Sequence, residues 1–172
     1  MKFLISKVIF FILIVNISQA NENIRFININ FIVNNSDAGK ILNNLIEKKN
    51  KKFANELNKI GESLKEKKNK IISQKNILKK EEFEKLIKEY DIEVKNFNEE
   101  RKKKTNELSN FTTKSKKKIL DLLNPLITSF LQKESIQILL QKEKIIFGDE
   151  RLDITKEILN SFNSKHKSIE FE

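Results

Sequence analysis

Apolar side chains follow three different rhythms along this chain. Over residues 24–33, "IRFININFIV", Ile27, Ile29 and Phe31 alternate with Asn28 and Asn30, and a period of two predicts a strand with one buried face. "NNSDAGK" follows, where Ser36 is suited to cap a helix and Asp37 to sit at the positive end of its dipole. The rhythm then changes. Ile46, Asn50, Phe53, Leu57, Ile60, Leu64, Lys67, Ile71 and Gln74 step alternately by four and three. Phe83, Ile87, Tyr90, Val94, Phe97, Arg101, Lys104, Leu108 and Phe111 do the same. Both seams keep a 3.5-residue repeat, which predicts helices supercoiled around a partner.

The two seams mirror each other about Ile77, so that Leu57 falls opposite Phe97, Ile60 opposite Val94, Leu64 opposite Tyr90 and Ile71 opposite Phe83. The simplest arrangement is an antiparallel helical hairpin over 37–118 with its tip near 75–80, projecting ~50–60 Å at 1.5 Å per residue. Its core is thin. Asn50 and Phe53 would face Lys104 and Arg101, and Gly61 costs its helix about 1 kcal/mol relative to Ala. Local flexibility is expected at these levels.

The third rhythm lies at the far end. "ILDLLNPLITSFL" (119–131) reads as the returning helix, with Pro125 either kinking it or opening a fresh turn capped by Asn124. Two strands are expected at Ile136–Leu140 and Ile145–Phe147, joined by "QKEK" and ended by Gly148. A final helix follows, capped by Thr155 or Asp153 and carrying Glu157 in its first turn. So few strands are marginal alone, and the other candidate strand lies over a hundred residues upstream. The hairpin would bring both ends together. The expected fold class is therefore α+β, predominantly α, with a small body from 21–36 and 119–172 and an arm between.

Among 172 residues, 34% are charged and 38% aliphatic or aromatic, and there is no Cys. No disulfide can staple the body, so oligomerisation is expected. Its candidate contact residues are Ile27, Ile29, Phe31, Ile138, Leu140, Ile145 and Phe147. At the start, "MKFLISK", the apolar "VIFFILIV" (8–15) and Ser18-Gln19-Ala20 predict a cleaved signal peptide over 1–20 and export. The apolar stretch is shorter than the roughly 20 residues of a spanning helix.

Charge is unevenly spread. Residues 47–118 hold 23 basic and 13 acidic side chains, so the positive field is concentrated on the arm. Its candidate binding residues are Lys48, Lys49, Lys51, Lys52, Lys67, Lys68, Lys70, Arg101, Lys102, Lys103 and Lys104. Such a surface attracts acidic chains and anionic lipid headgroups. Nucleic acid is not an expected partner, because export removes the chain from it and no recognised binding motif occurs. Catalysis is not expected either. The single His, His166, lies in "NSKHKS" without an acidic partner at motif spacing, and there is no Cys nucleophile, metal-ligand cluster or Gly-rich phosphate loop. No cofactor is expected. From another functional class, the alternative is a periplasmic coiled-coil tether or adaptor.

Two segments resemble the Skp/OmpH family of periplasmic chaperones. "IRFININFIVNNSDAGK" (24–40) is similar to its opening strand and Ser-x-x-Gly-Lys helix entry, here Ser36, Gly39 and Lys40. "IQILLQKEKIIFGDERLDITKEIL" (136–159) is similar to its strand–turn–strand and Leu-Asp-Ile-Thr helix cap, and "KKEEFEKLIKEYD" (79–91) resembles its hairpin tip. The chain departs from the family at Asn28, where Asp is frequent, and in the turn Gly148-Asp149-Glu150-Arg151. The resemblance implies a homotrimer whose strands build one shared β-body and whose three arms enclose a cavity. It implies a periplasmic protein that holds unfolded outer-membrane β-barrel proteins without ATP.

Overall fold

The computed structural model describes residues 23–171, and the expected signal peptide lies outside them. β1 (Ile24–Ile27) is followed by a short helix α1 (Ile29–Asn35), then by the long helices α2 (Asp37–Gln74) and α3 (Lys80–Lys133). β2 (Ile138–Gln141) comes next, and after two single 3₁₀ turns the helix α4 (Thr155–Lys165). β1 and β2 run parallel, pairing Ile24 with Ile138 and Ile27 with Gln141. On the other side of β1, Phe26 bridges to Asp153, and the Ile154 N–H donates to the Phe26 carbonyl at 3.0 Å.

The expected strand over 24–33 is half right. It stops at Ile27 because Asn28 caps a helix instead, its side chain accepting from the Phe31 N–H at 2.7 Å. Asn competes well for that role. Ile29, Ile32 and Val33 then fall at helical spacing, and Ile32 and Val33 are buried while Phe31 points outward. Similarly, 145–147 is not a strand. A 3₁₀ turn at Lys142–Lys144 turns the chain after β2, leaving Ile145 half-buried and Ile146 and Phe147 fully exposed.

Ser36 caps α2, its hydroxyl accepting from the Gly39 N–H at 3.0 Å. At α4 the cap position is taken by Ile154, with no side-chain bond of its own. Asp153, one residue earlier, accepts from the Thr155 N–H at 2.9 Å. Thr155 is the first helical residue, and its hydroxyl accepts from the Asn28 N–H at 2.8 Å. The side chain expected to cap a helix ties the two ends of the chain together.

α2 and α3 form the hairpin, and the turn between them, residues 75–79, is centred on Ile77. α3 passes through Pro125 without interruption and continues beneath the body. The apolar stripe on α3 changes step at Phe111. Beyond it, Phe111, Ser115, Ile119, Leu123 and Ile127 are buried at intervals of four. A four-residue step drifts round a 3.6-residue helix, which suits globular packing rather than a coiled-coil seam. Phe111, Ile119, Leu123 and Ile127 join Ile27, Ile32, Val33, Ala38, Leu42, Ile154, Ile158, Phe162 and Ile169 in one core. His166 is half-buried, its ring 5.0 Å from that of Phe162.

α3 ends in a Schellman motif. The Ile136 N–H donates to the Leu131 carbonyl at 2.9 Å and the Ser135 N–H to that of Gln132 at 3.3 Å, with Ser135 at φ 52°. That left-handed position normally takes Gly. Ser135→Gly is expected to stabilise by about 1 kcal/mol, read as a higher urea midpoint with unchanged slope. Gly39 answers a different constraint, since a Cβ there would lie 2.0 Å from the Val33 carbonyl oxygen. Gly39→Ala is expected to cost about 1–3 kcal/mol. Gly61→Ala, where the added carbon meets only Phe97 at 3.9 Å, is expected to gain about 0.5–1 kcal/mol. Equal urea midpoints for these two variants would contradict this packing.

Candidate functional site

The arm is two helices thick, so its interior admits few side chains. Leu64 and Ile71 are buried, and Phe53, Leu57, Phe83, Tyr90, Val94, Phe97 and Leu108 are half-buried. Where the seam carries Lys104 instead of an apolar residue, charges close the gap. Lys104 Nζ lies 2.6 Å from Glu56 and 3.2 Å from Glu100, and its side chain is only 15% exposed. It also stands 4.8 Å from the Phe53 ring centre. One level nearer the body, Lys49 pairs with Glu107 at 3.3 Å and lies over the Phe111 ring at 5.1 Å. Nearer the tip, Lys67 pairs with Glu93 at 2.6 Å.

The candidate basic residues therefore divide. Lys49, Lys67 and Lys104 bridge the two helices, and Lys51 pairs with Glu47 on its own helix. Lys48, Lys52, Lys68, Lys70, Arg101, Lys102 and Lys103 are exposed and carry no ion pair among the described residues. Between the helices, beside the Lys104 level, an open groove of about 530 Å³ is lined by Ile46, Phe53, Leu57, Leu108 and Thr112. A second of about 530 Å³ is lined by Ile60, Leu64 and Phe97. These are shallow, mainly apolar surfaces, the first edged by Lys104 and the second by Lys59, Glu93 and Glu100.

The seam periodicity does not mark the acidic partners Glu56, Glu93 and Glu107, and Glu100, which the sequence suggests is simply an exposed charge, is half-buried beside Lys104. Each flanks a seam rather than lying on it, and pairing a flanking Glu with a cation on the facing helix was the available signal. Hydrogen bonding from Lys104 lowers the Glu56 carboxyl below its ordinary range, and the bond to Glu56 raises Lys104 in turn.

On the body, Ile27 is buried and Ile29 and Ile145 half-buried, whereas Phe31, Ile138, Leu140 and Phe147 are exposed. Ile146, also missed in the sequence, joins them. Among the described residues β2 pairs on one side only, so its outer edge there presents free backbone groups next to exposed apolar side chains. Lys142 bonds the Asp153 carboxylate across the turn. In the neighbouring turn, bonds from the Arg151 guanidinium and backbone hold the Asp149 carboxyl at about 2.

A parallel strand pair made from distant chain ends, carrying a long basic hairpin and a body with one open edge, defines an arm-bearing α+β protein. The chain belongs to the family of outer membrane proteins that are OmpH-like, whose family model matches residues 23–162. Among solved structures it is similar to an OmpH-like protein of Caulobacter crescentus CB15 proposed to be an outer membrane chaperone. The TM-score is 0.77 with 16% identity, over 89% of this chain and 90% of that one, a likeness of fold. No curated protein matches in sequence.

Two outcomes test this site. Lys104→Glu, which sets a third carboxylate against Glu56 and Glu100, should lower the melting temperature, and more at low salt than at high. Lys104→Met, which extends the apolar seam and leaves the half-exposed Glu56 and Glu100 to solvent, should lower it less and with a weaker salt dependence. Asp153 gives a pH test. Burial alone would raise its carboxyl, but bonds from Lys142 and from the Thr155 hydroxyl and N–H hold it below the ordinary 3.8. A carboxyl lowered on folding contributes stability above its unfolded value and loses it as pH falls through the folded one. Asp153→Asn should cost about 1–2 kcal/mol at neutral pH and much less at pH 2. A constant difference across that range would exclude this linkage.

Proposed function

We propose that this protein is a periplasmic, ATP-independent holding chaperone for unfolded outer-membrane β-barrel proteins, working as a homotrimer. The observation that carries the reading is the set of exposed, unpaired cations along a thin arm whose grooves are apolar. Unfolded β-barrel chains expose alternating apolar residues and aromatic girdles, and they aggregate in water. Long Lys stems and half-buried Phe rings offer adaptable apolar contact, while the positive field draws in acidic chains. Many weak contacts add through effective concentration, and binding the unfolded form suppresses aggregation by mass action. Membership of the OmpH-like family supports the chaperone role.

Trimerisation gives the exposed body residues a purpose. Phe31, Ile138, Leu140, Ile146 and Phe147 would pack against a second copy, and the outer edge of β2 would find backbone partners there. A head-to-tail contact of this kind closes into a ring.

Purified protein should have the mass of three chains in solution. It should prevent light scattering when a denatured β-barrel protein is diluted into buffer. Ile146→Ser with Phe147→Ser should shift the mass downward. Replacing Lys48, Lys52, Lys102 and Lys103 by Gln should weaken holding several-fold at low salt and much less at high salt. A monomer that leaves scattering unchanged rules the reading out, and one tight stoichiometric partner without general holding would favour a tether.

A further inference from the structure

We propose that the segment after α4 is a displaceable strap, and that the surface beneath it takes an extended segment of an unfolded β-barrel chain in the strap's place. This rests on the holding function and adds a specific contact to it. α4 ends at Lys165, and residues 167–171, "KSIEF", continue with neither helix nor strand. Their side chains alternate out and in. Ser168 and Glu170 are exposed, whereas Ile169 is 9% exposed and belongs to the core, and Phe171 packs half-buried against that core. A period of two is that of an extended chain lying on an apolar surface. Lys118, on α3, donates to the Glu170 carbonyl at 2.8 Å.

This mode of attachment asks little of the segment that uses it. It needs apolar side chains at alternate positions, which every strand of a β-barrel protein carries, and a backbone carbonyl, which every residue carries. The lysine bond reads no side chain. "KSKKK" (114–118) gives the surface a basic edge. Lys117 pairs with Asp121, whereas Lys114, Lys116 and Lys118 carry no ion pair among the described residues. Segments whose outward residues are acidic, as Glu170 is in the strap, are therefore favoured.

The strap is weakly held. Residues 167–171 make no backbone–backbone hydrogen bond among the described residues. Ordering them costs conformational entropy that burying Ile169 and part of Phe171 only just offsets. The strap also lies beyond residues 23–162, the part of the chain that the family shares. Being tethered, it competes with a short free peptide at high effective concentration. A long unfolded chain already touching the arm has the same advantage. The strap thus screens the surface from short peptides and yields to long chains.

The chain has no Cys, so single cysteines report on the strap in the full-length protein. Ile169→Cys should react slowly with a maleimide, and several-fold faster once a cysteine-free, denatured β-barrel protein is bound. Ser168→Cys, exposed in either state, should change little. Ile169→Ser with Phe171→Ser frees the surface. A strap docked about nine-tenths of the time lowers apparent affinity about tenfold. This variant should therefore bind a fluorescent peptide of the sequence Lys167–Phe171 about tenfold more tightly than wild type does. Adding Lys118→Gln should weaken that binding several-fold. If wild type prevents aggregation while the client leaves the Ile169→Cys rate unchanged, the proposal is overturned and the holding function stands. A double-Ser variant that melts lower and binds the peptide no better also overturns it, and the strap is then a brace. Wild-type protein that leaves aggregation unchanged removes the holding function itself, and this proposal with it.

Discussion

Everything in this fold depends on pairing β1 with β2 in parallel. A tight turn cannot join parallel strands, which need a crossover between them. Here the crossover is the entire hairpin. Closing a flexible loop of that length costs entropy that grows with the logarithm of its size, but two zipped helices are not a flexible loop. They deliver Ile24 and Ile138 to the same place, and short bonds then fasten the ends. Thr155 holds the Asn28 N–H, Asn163 the Asp37 N–H at 3.0 Å, and Lys118 donates to the Glu170 carbonyl at 2.8 Å. The arm thus brings the two halves of the body together, although it makes little of its core.

α3 is the member common to both. Up to Phe111 its inward face steps by four and three against α2, and beyond Phe111 it steps by four beneath α1 and α4. One helix thus serves two kinds of packing, and the change of step marks where a coiled coil becomes a globular core. The consequences differ on each side. Body residues such as Ile32, Ile119, Leu123 and Ile158 are wholly buried, whereas the arm fills its weakest levels with Lys49, Lys104 and their carboxylates. Ion pairs of that sort return little net stability because their desolvation offsets the attraction. They do keep cations in the seam without leaving them unpaired.

The sequence made the long elements legible because periodicity accumulates over many turns. Two seams of nine positions each implied the hairpin and the centre of its turn at Ile77. Short elements were harder. Ile27, Ile29 and Phe31 alternate perfectly, yet Ile29, Ile32 and Val33 fit a helix equally well, and one hydrogen bond from Phe31 N–H to Asn28 decides between them. Ile145–Phe147 is β-branched and aromatic enough for a strand, but among the described residues it has no strand beside it to pair with. Propensity describes what a segment could pair with, not whether a partner lies beside it. For the candidate site, the location of positive charge was readable, whereas its division into bridging and exposed cations was not. That division depends on which Glu faces which Lys across the hairpin, a matter of a few ångströms.

The separation of the exposed cations from the bridging ones also shows how so thin an arm could carry the proposed binding surface. A globular domain buries most of its side chains, so adding surface function competes with its core. A two-helix arm leaves most positions exposed whatever their identity, and only one residue in three or four is constrained by the seam. Lys48, Lys52, Lys102 and Lys103 can therefore be chosen for what they meet in solution, while Lys49, Lys67 and Lys104 are fixed by what they meet across the hairpin. A surface of this kind cannot grip one ligand tightly, because no part of it encloses more than a shallow groove. A surface that touches many different chains weakly and lets each go is what the proposed holding function without fuel requires.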